Sequence, residues 1–178
     1  MPSFIALAVI LRLVDVAGVP PVVLLEAQRE VTRVYRAIGV DAQWTSTRSL
    51  ANPGEAVLTI DVTIVSFETG ALKHQPQPVL GVAVRTPAGT RVAYVFYRRV
   101  ETEADQHGVP IGLVLASALA HEIGHHLLPS HEHSPTGLMR ACWDREDFNR
   151  AARGQLRFSD DQGVRIRARL QRTTQIQN

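Results

Sequence analysis

Apolar residues recur along this chain with two different periods, and the switches between them mark out the elements. From Ala6 to Val16, Val, Ile and Leu run almost unbroken, the pattern of a strand covered on both faces and paired in parallel. Gly18-Val-Pro-Pro21 is a turn whose prolines suit a helix start, and Leu24, Ala27, Val31, Val34, Tyr35 and Ile38 then follow at helical spacing. Gly39 stands where a helix commonly ends in a left-handed residue. Val40 to Trp44 predicts a second strand and completes a βαβ unit. After a polar stretch with the turn signal Ala51-Asn-Pro-Gly54, Ala56 to Ser66 alternates and is β-branched, a third strand. Leu80–Arg85 and Arg91–Val100 predict two more, joined by Thr86-Pro-Ala-Gly89. So short a connection implies an antiparallel pair with one member at the sheet edge, where a peptide could add as a further strand.

The second half reads as helical. Polar Glu101–Gly108 leads into a long apolar helix over Val109–Leu128, stopped by Pro129. Asp144–Arg153 predicts a helix ended by Gly154, and Ser159-x-x-Gln162 is a capping box opening a last helix to about Arg172, with Thr173–Asn178 frayed. Arg165, Arg169 and Arg172 share one face of that helix and read as solvated, as does Glu132. His107 and His74, in polar segments, read the same way. The expected fold class is α/β over one domain, residues 1–178, with a mixed, mostly parallel sheet of about five strands. The first helix and the long apolar helix back the sheet, and a small helical part follows.

Composition narrows the function only by exclusion. At 45% hydrophobic and 20% charged residues the chain is an ordinary globular domain, and a net charge of +2 without a basic-aromatic pattern gives no footprint for nucleic acid. The single cysteine, Cys142, rules out an intramolecular disulfide and a cysteine-built zinc site, and reads as a small buried hydrophobe. No apolar run reaches membrane-spanning length. Phe4–Leu11 is apolar like the core of a signal peptide, but it lacks a basic segment before it and alternates into Arg12 and Asp15, so it reads as part of the first strand. No intact signal peptide is evident.

The chemistry is concentrated in the apolar helix and the loop after it. Five of the seven histidines lie between His121 and His133. His121-Glu122-x-x-His125 puts two imidazoles about 40° apart on a helix advancing about 100° per residue, so both can grip one ion. Glu122 is then the natural general base for a water held by that ion. Ile111–Ala120 is apolar but for Ser117, so these polar side chains enter a buried helix, which is costly unless they are paired or metal-bound. His126 lies about 140° from His121, on the face of Leu115, Leu119 and Ile123, and is a packing residue and not a ligand. A third ligand must come from beyond Pro129, from His131 or His133.

The run His121-Glu122-x-x-His125, a later histidine and then Gly137-Leu-Met139 resembles the metzincin clan of zinc peptidases, whose pattern is H-E-x-x-H-x-x-G-x-x-H followed by a Met-turn. The resemblance implies one catalytic zinc ion, Glu122 as catalytic base, His131 as the position-for-position third ligand, and Met139 as a hydrophobic floor beneath the metal. The clan's glycine is Leu128 here, and the helix break falls one residue later at Pro129, which lengthens the return loop and favours His133. The blocks His133-Ser-Pro-Thr-Gly-Leu-Met-Arg-Ala141, Trp143-Asp-Arg-Glu-Asp147, Ala17-Gly-Val-Pro20 and Val95–Glu101 are also similar to a family of small metzincin-like proteins of soil bacteria, notably acidobacteria. In that family the histidine of the His-Ser-Pro block recurs, again His133. Ala141 stands where some metzincins carry a tyrosine ligand, so none is expected.

The expected function is zinc-dependent endopeptidase hydrolysis of a peptide or protein, with His121, His125 and His133 on the metal and His131 the alternative. The competing expectations are a catalytically silent metal-binding or interaction domain derived from a peptidase, and a structural site closed by four ligands.

Overall fold

The β-branched run at the start of the chain forms the centre of the sheet because strands pair on both sides of it. In the structure, a computed structural model describing residues 7–45, 58–67, 79–129 and 132–175, β1 (Leu7–Asp15) lies between β2 (Val40–Thr45) and β3 (Leu58–Val65), parallel to both. Arg12 and Asp61 are register partners in β1 and β3 and form an ion pair that satisfies two charges inside the sheet. β5 (Arg91–Phe96) pairs parallel with β3, and β4 (Gly81–Arg85) pairs antiparallel with β5. The order is β2-β1-β3-β5-β4, so the expected mixed, mostly parallel five-stranded sheet is present, with β4 at its edge.

The crossover from β1 to β2 is α1 (Pro21–Ala37), begun by prolines and closed by Gly39 at φ +75°. α1 packs on β2 and on α3 (Ile111–Leu127), and α3 in turn covers β3, β4 and β5. Almost every α3 residue is buried. The apolar helix is therefore the middle layer of the molecule, held between the sheet, α1 and the C-terminal helices. The capping boxes at Asp144 and Ser159 start α4 (Arg145–Ala152) and α5 (Asp160–Gln175), the latter running past the expected end at Arg172.

One expected element is wrong. The strand predicted over Arg91–Val100 stops at Phe96, and Tyr97–His107 forms a further helix, α2, where a polar lead-in was expected. The buried residues Tyr97, Val100 and Ala104 stand three and four apart, a helical stripe hidden by the β-branched residues before it. Gly108 at φ +65° ends α2 and Pro110 begins α3. His107, expected in solvent, stacks on Phe148 with centroids 4.0 Å apart and lies 3.4 Å from Glu103. The Ala51–Gly54 turn, His74 and the extreme N-terminal residues lie outside the described residues.

Close approach beneath α3 depends on Gly124. A Cβ there would sit 2.7 Å from Met139 Sδ and 3.0 Å from the Phe158 ring, and Met139 is fully buried. Tyr35 packs against Phe158 and donates its hydroxyl to the Ala120 carbonyl at 2.9 Å, so the layer below the helix has no slack. Gly124→Val is expected to cost roughly 1–3 kcal/mol by overpacking, read as a lower denaturant midpoint of the metal-free protein.

Candidate metal centre

Helix α3 delivers His121 and His125 from one face, and the loop after it turns back to bring a third histidine over them. The ligand atoms of His121, His125 and His133 all lie within 4.8 Å of one another. His125 Nε2 is 3.0 Å from His121 Nε2, and the His133 ring lies 5.5 Å from that of His121 and 4.9 Å from that of His125. Three imidazoles from two segments therefore point at one place. His131, the alternative third ligand, lies outside the described residues.

The tautomers suit such a site. His121 Nδ1 is 2.8 Å from the Leu138 carbonyl, which only a protonated Nδ1 can satisfy, leaving the Nε2 lone pair free toward its neighbours. Trp143 Nε1 donates to the same carbonyl at 3.2 Å, and its ring stands edge-on to His121 at 5.8 Å. The return loop is itself pinned. The Ser134 N–H donates to the Met139 carbonyl at 2.9 Å, and the Leu138 N–H to the Arg157 carbonyl at 2.9 Å. Gln162 Nε2, from the α5 capping box, donates to Ser134 Oγ beside His133 at 3.2 Å. Gly137 turns the loop at φ +80°. A buried imidazole with Nδ1 tied back and Nε2 converging on two less buried ones fits a metal such as zinc, which accepts tetrahedral nitrogen sets.

Glu122 is buried beside them, with 6% of its surface exposed. Burial pushes its carboxyl up to about 8. His121 is pushed down to about 4, chiefly by burial and further by His133, against the opposing pull of the Leu138 bond. β4 passes directly over this carboxyl. A Cβ on Gly81 would meet Glu122 Cγ at 2.7 Å and Oε1 at 3.0 Å, so only glycine fits there. Sequence reasoning missed Gly81 because no local pattern links it to Glu122. Together β4, α3 and the return loop line a cleft of about 630 Å³ that includes His121, Glu122, His125, His133 and Trp143.

Several peripheral expectations are corrected. Cys142, expected buried, is exposed on the cleft wall because it lies in the turns between Met139 and α4. Glu132, expected solvated, pairs with Arg165 at 2.6 Å. The arginine face of α5 is not uniformly solvated either: Arg165 is paired, and Arg169 lines the cleft. His126 is buried against β5, hydrogen-bonded to the Val92 backbone, and is not among the converging histidines.

No family model matches the chain, and no curated protein matches it. Among solved structures it aligns with a chain of the GM1 bound form of the ECX AB5 holotoxin, at 13% identity and a TM-score of 0.45, covering 91% of this chain and 79% of that one. A likeness of that size transfers neither fold nor function. Among the described residues no helix is long and apolar enough to cross a membrane.

The two displaced titrations set a pH window for the metal-free protein. Glu122 has an ordinary value of 4.5 and sits at about 8 when folded, so stability falls as pH rises between them, because the folded state holds the extra proton. His121 has an ordinary value of 6.5 and sits at about 4, so its contribution falls as pH drops between them, because the unfolded state holds the extra proton. The two slopes oppose each other from about pH 4.5 to 6.5, and the carboxyl alone acts from there to about 8. In chelator, Glu122→Gln is expected to melt like wild type near pH 4.5 and higher than wild type at pH 8, by on the order of a few kcal/mol of stability. Equal melting curves at both values would contradict the buried-acid assignment. For the third ligand, His133→Ala is expected to weaken metal binding by more than the roughly 10–100-fold typical of losing an outer partner, and His131→Ala to leave it near wild type, by calorimetric titration with Zn2+.

Proposed function

We propose that this protein is a zinc-dependent endopeptidase of metzincin-like type, acting from the cleft between β4 and α3. The observation that carries this reading is Glu122, buried one residue along the helix from His121 within a triad of converging imidazoles, and open to a cleft walled by an edge strand. His121, His125 and His133 would hold the metal. When bound, zinc supplies Lewis acidity toward a carbonyl oxygen and toward water.

The protein's own groups do the rest. Leu138 fixes the His121 ring through Nδ1 and so fixes the direction of Nε2. Glu122 takes the proton from the attacking water and hands it to the amine nitrogen as the peptide bond breaks, the two halves of general acid–base catalysis. A carboxyl whose proton affinity burial has already raised is suited to both. β4 is antiparallel to β5 and last in the sheet, so an extended peptide can hydrogen-bond along it with its backbone passing Glu122 at Gly81. Met139, packed under Gly124, supports the helix turn that carries His121 and His125. These features favour hydrolysis over a silent metal-binding domain, which needs neither a buried acid beside the imidazoles nor a cleft past it.

Restoring Zn2+ after chelation is expected to restore cleavage of a mixed peptide library, read by mass spectrometry of the new termini. Glu122→Ala is expected to lower kcat by roughly 10²–10⁴-fold while still binding Zn2+. Wild type that cuts nothing in the library with metal bound would remove the peptidase reading and leave the silent domain.

A further inference from the structure

The cleft has a second chemical feature at the end of β4 away from the imidazoles. Arg85, the last residue of β4, and Arg91, the first of β5, stand directly opposite each other in the hairpin register. Their connection is tight, with the Gly89 N–H bonded to the Thr86 carbonyl at 2.8 Å and the Thr86 N–H to the Thr90 carbonyl at 2.9 Å, so the two cations cannot drift apart by opening the turn. Arg169 of α5 reaches the same place, and Arg85 and Arg169 both line the cleft with His126. Like charges directly across a strand pair are destabilising. Burial and mutual repulsion accordingly weaken the hold of Arg91 and Arg169 on their protons.

Several other arginines of this fold are neutralised by carboxylates. Arg140, which lines the same cleft, pairs with Asp144 and Asp147; away from it Arg165 pairs with Glu132 and Asp161, and Arg12 pairs with Asp61. Among the described residues no carboxylate pairs with Arg85, Arg91 or Arg169, and Arg91 Nε is buried with no hydrogen-bond partner. Two cations that line the cleft, Arg85 and Arg169, with Arg91 and its orphaned buried N–H beside them, are the complement of an anion that comes from outside the chain.

We propose that Arg85, Arg91 and Arg169 form an anion subsite that selects substrates carrying an acidic side chain, a substrate class that deepens the peptidase reading and rests on it. The spacing supports a peptide. Gly81 lies over Glu122, and Arg85 is four residues further along the same strand face, about 13 Å at about 3.3 Å per residue. An extended peptide rises by the same step, so its acidic residue falls about four positions from the bond at Glu122. The wall between is Val82, Ala83 and Val84, apolar and without further cations, which suits a peptide with one anchoring charge better than a polyanion.

The test uses the full-length, zinc-loaded Glu122→Gln protein and reads binding without turnover. Decapeptides carrying one glutamate, moved stepwise along a neutral sequence, are compared with their glutamine counterparts by calorimetry. The best-placed glutamate is expected to bind roughly tenfold tighter than glutamine, about 1.4 kcal/mol. Arg85→Gln/Arg169→Gln should erase that difference with zinc content unchanged, and the single change Arg169→Glu should shift the preference toward a lysine at the same position. No placement of glutamate outbinding glutamine, or a preference that survives in both variants, would overturn the subsite. A decanucleotide that binds more tightly than every peptide would overturn the assignment to peptides. Binding that favours glutamate while wild type cuts nothing keeps the subsite and removes only the hydrolysis.

Discussion

The hydrogen bond from His121 Nδ1 to the Leu138 carbonyl is the constraint on which the rest of the centre depends. It joins α3 to the return loop across 17 residues of chain, and does so inside the protein, where an unmade bond is expensive. It fixes the ring of one histidine and, through Leu138, the course of the loop that carries another. Further ties of the loop run outward to Arg157, to Gln162 in the α5 capping box and, from Glu132, to Arg165. The C-terminal helices thus position His133 as much as α3 positions His121 and His125. A helix cap, usually a matter of a local kilocalorie, is here part of the support of a candidate metal centre.

Much of this was legible in the sequence, for identifiable reasons. β1, α1, β2 and β3 carry long, clean periods, and the hairpin of β4 and β5 carries a turn signal, so the sheet order had few alternatives. The grip of His121 and His125 follows from helix geometry alone. α2 was missed because Tyr97 and Val100, flanking Arg98 and Arg99, follow β5 directly and read as its continuation, and the helical stripe shows only once Ala104 is counted with them. Positions that depend on distant segments were not legible: Gly81 against Glu122, Met139 under Gly124, Glu132 with Arg165. Arg169 was misread for the same reason, since its helix face looks solvated until β4 and β5 are set beside it.

The polar groups divide into two kinds. Arg12, Arg140 and Arg165 are matched within the fold, and their pairing is structural. Glu122, Arg85 and Arg169 have no ion-pair partner among the described residues, and with the three converging imidazoles they line one cleft. A fold tolerates such groups at a cost in stability, and their concentration along one wall distinguishes a working surface from ordinary buried polarity.

Gly81 has a consequence of its own. Here the edge strand approaches the buried acid so closely that a Cβ would meet it, and a side chain would push the two apart. Gly81 therefore acts as a zero mark on a ruler. A chain laid along β4 can be read from that mark only in strand steps, and because neighbouring residues face opposite ways, a slip of one would turn every side chain to the wrong wall. Permitted slips come in twos, about 6.6 Å apart. Selectivity along such a groove would be digital: alternate positions of a chain bound there would be inspected, and those between ignored.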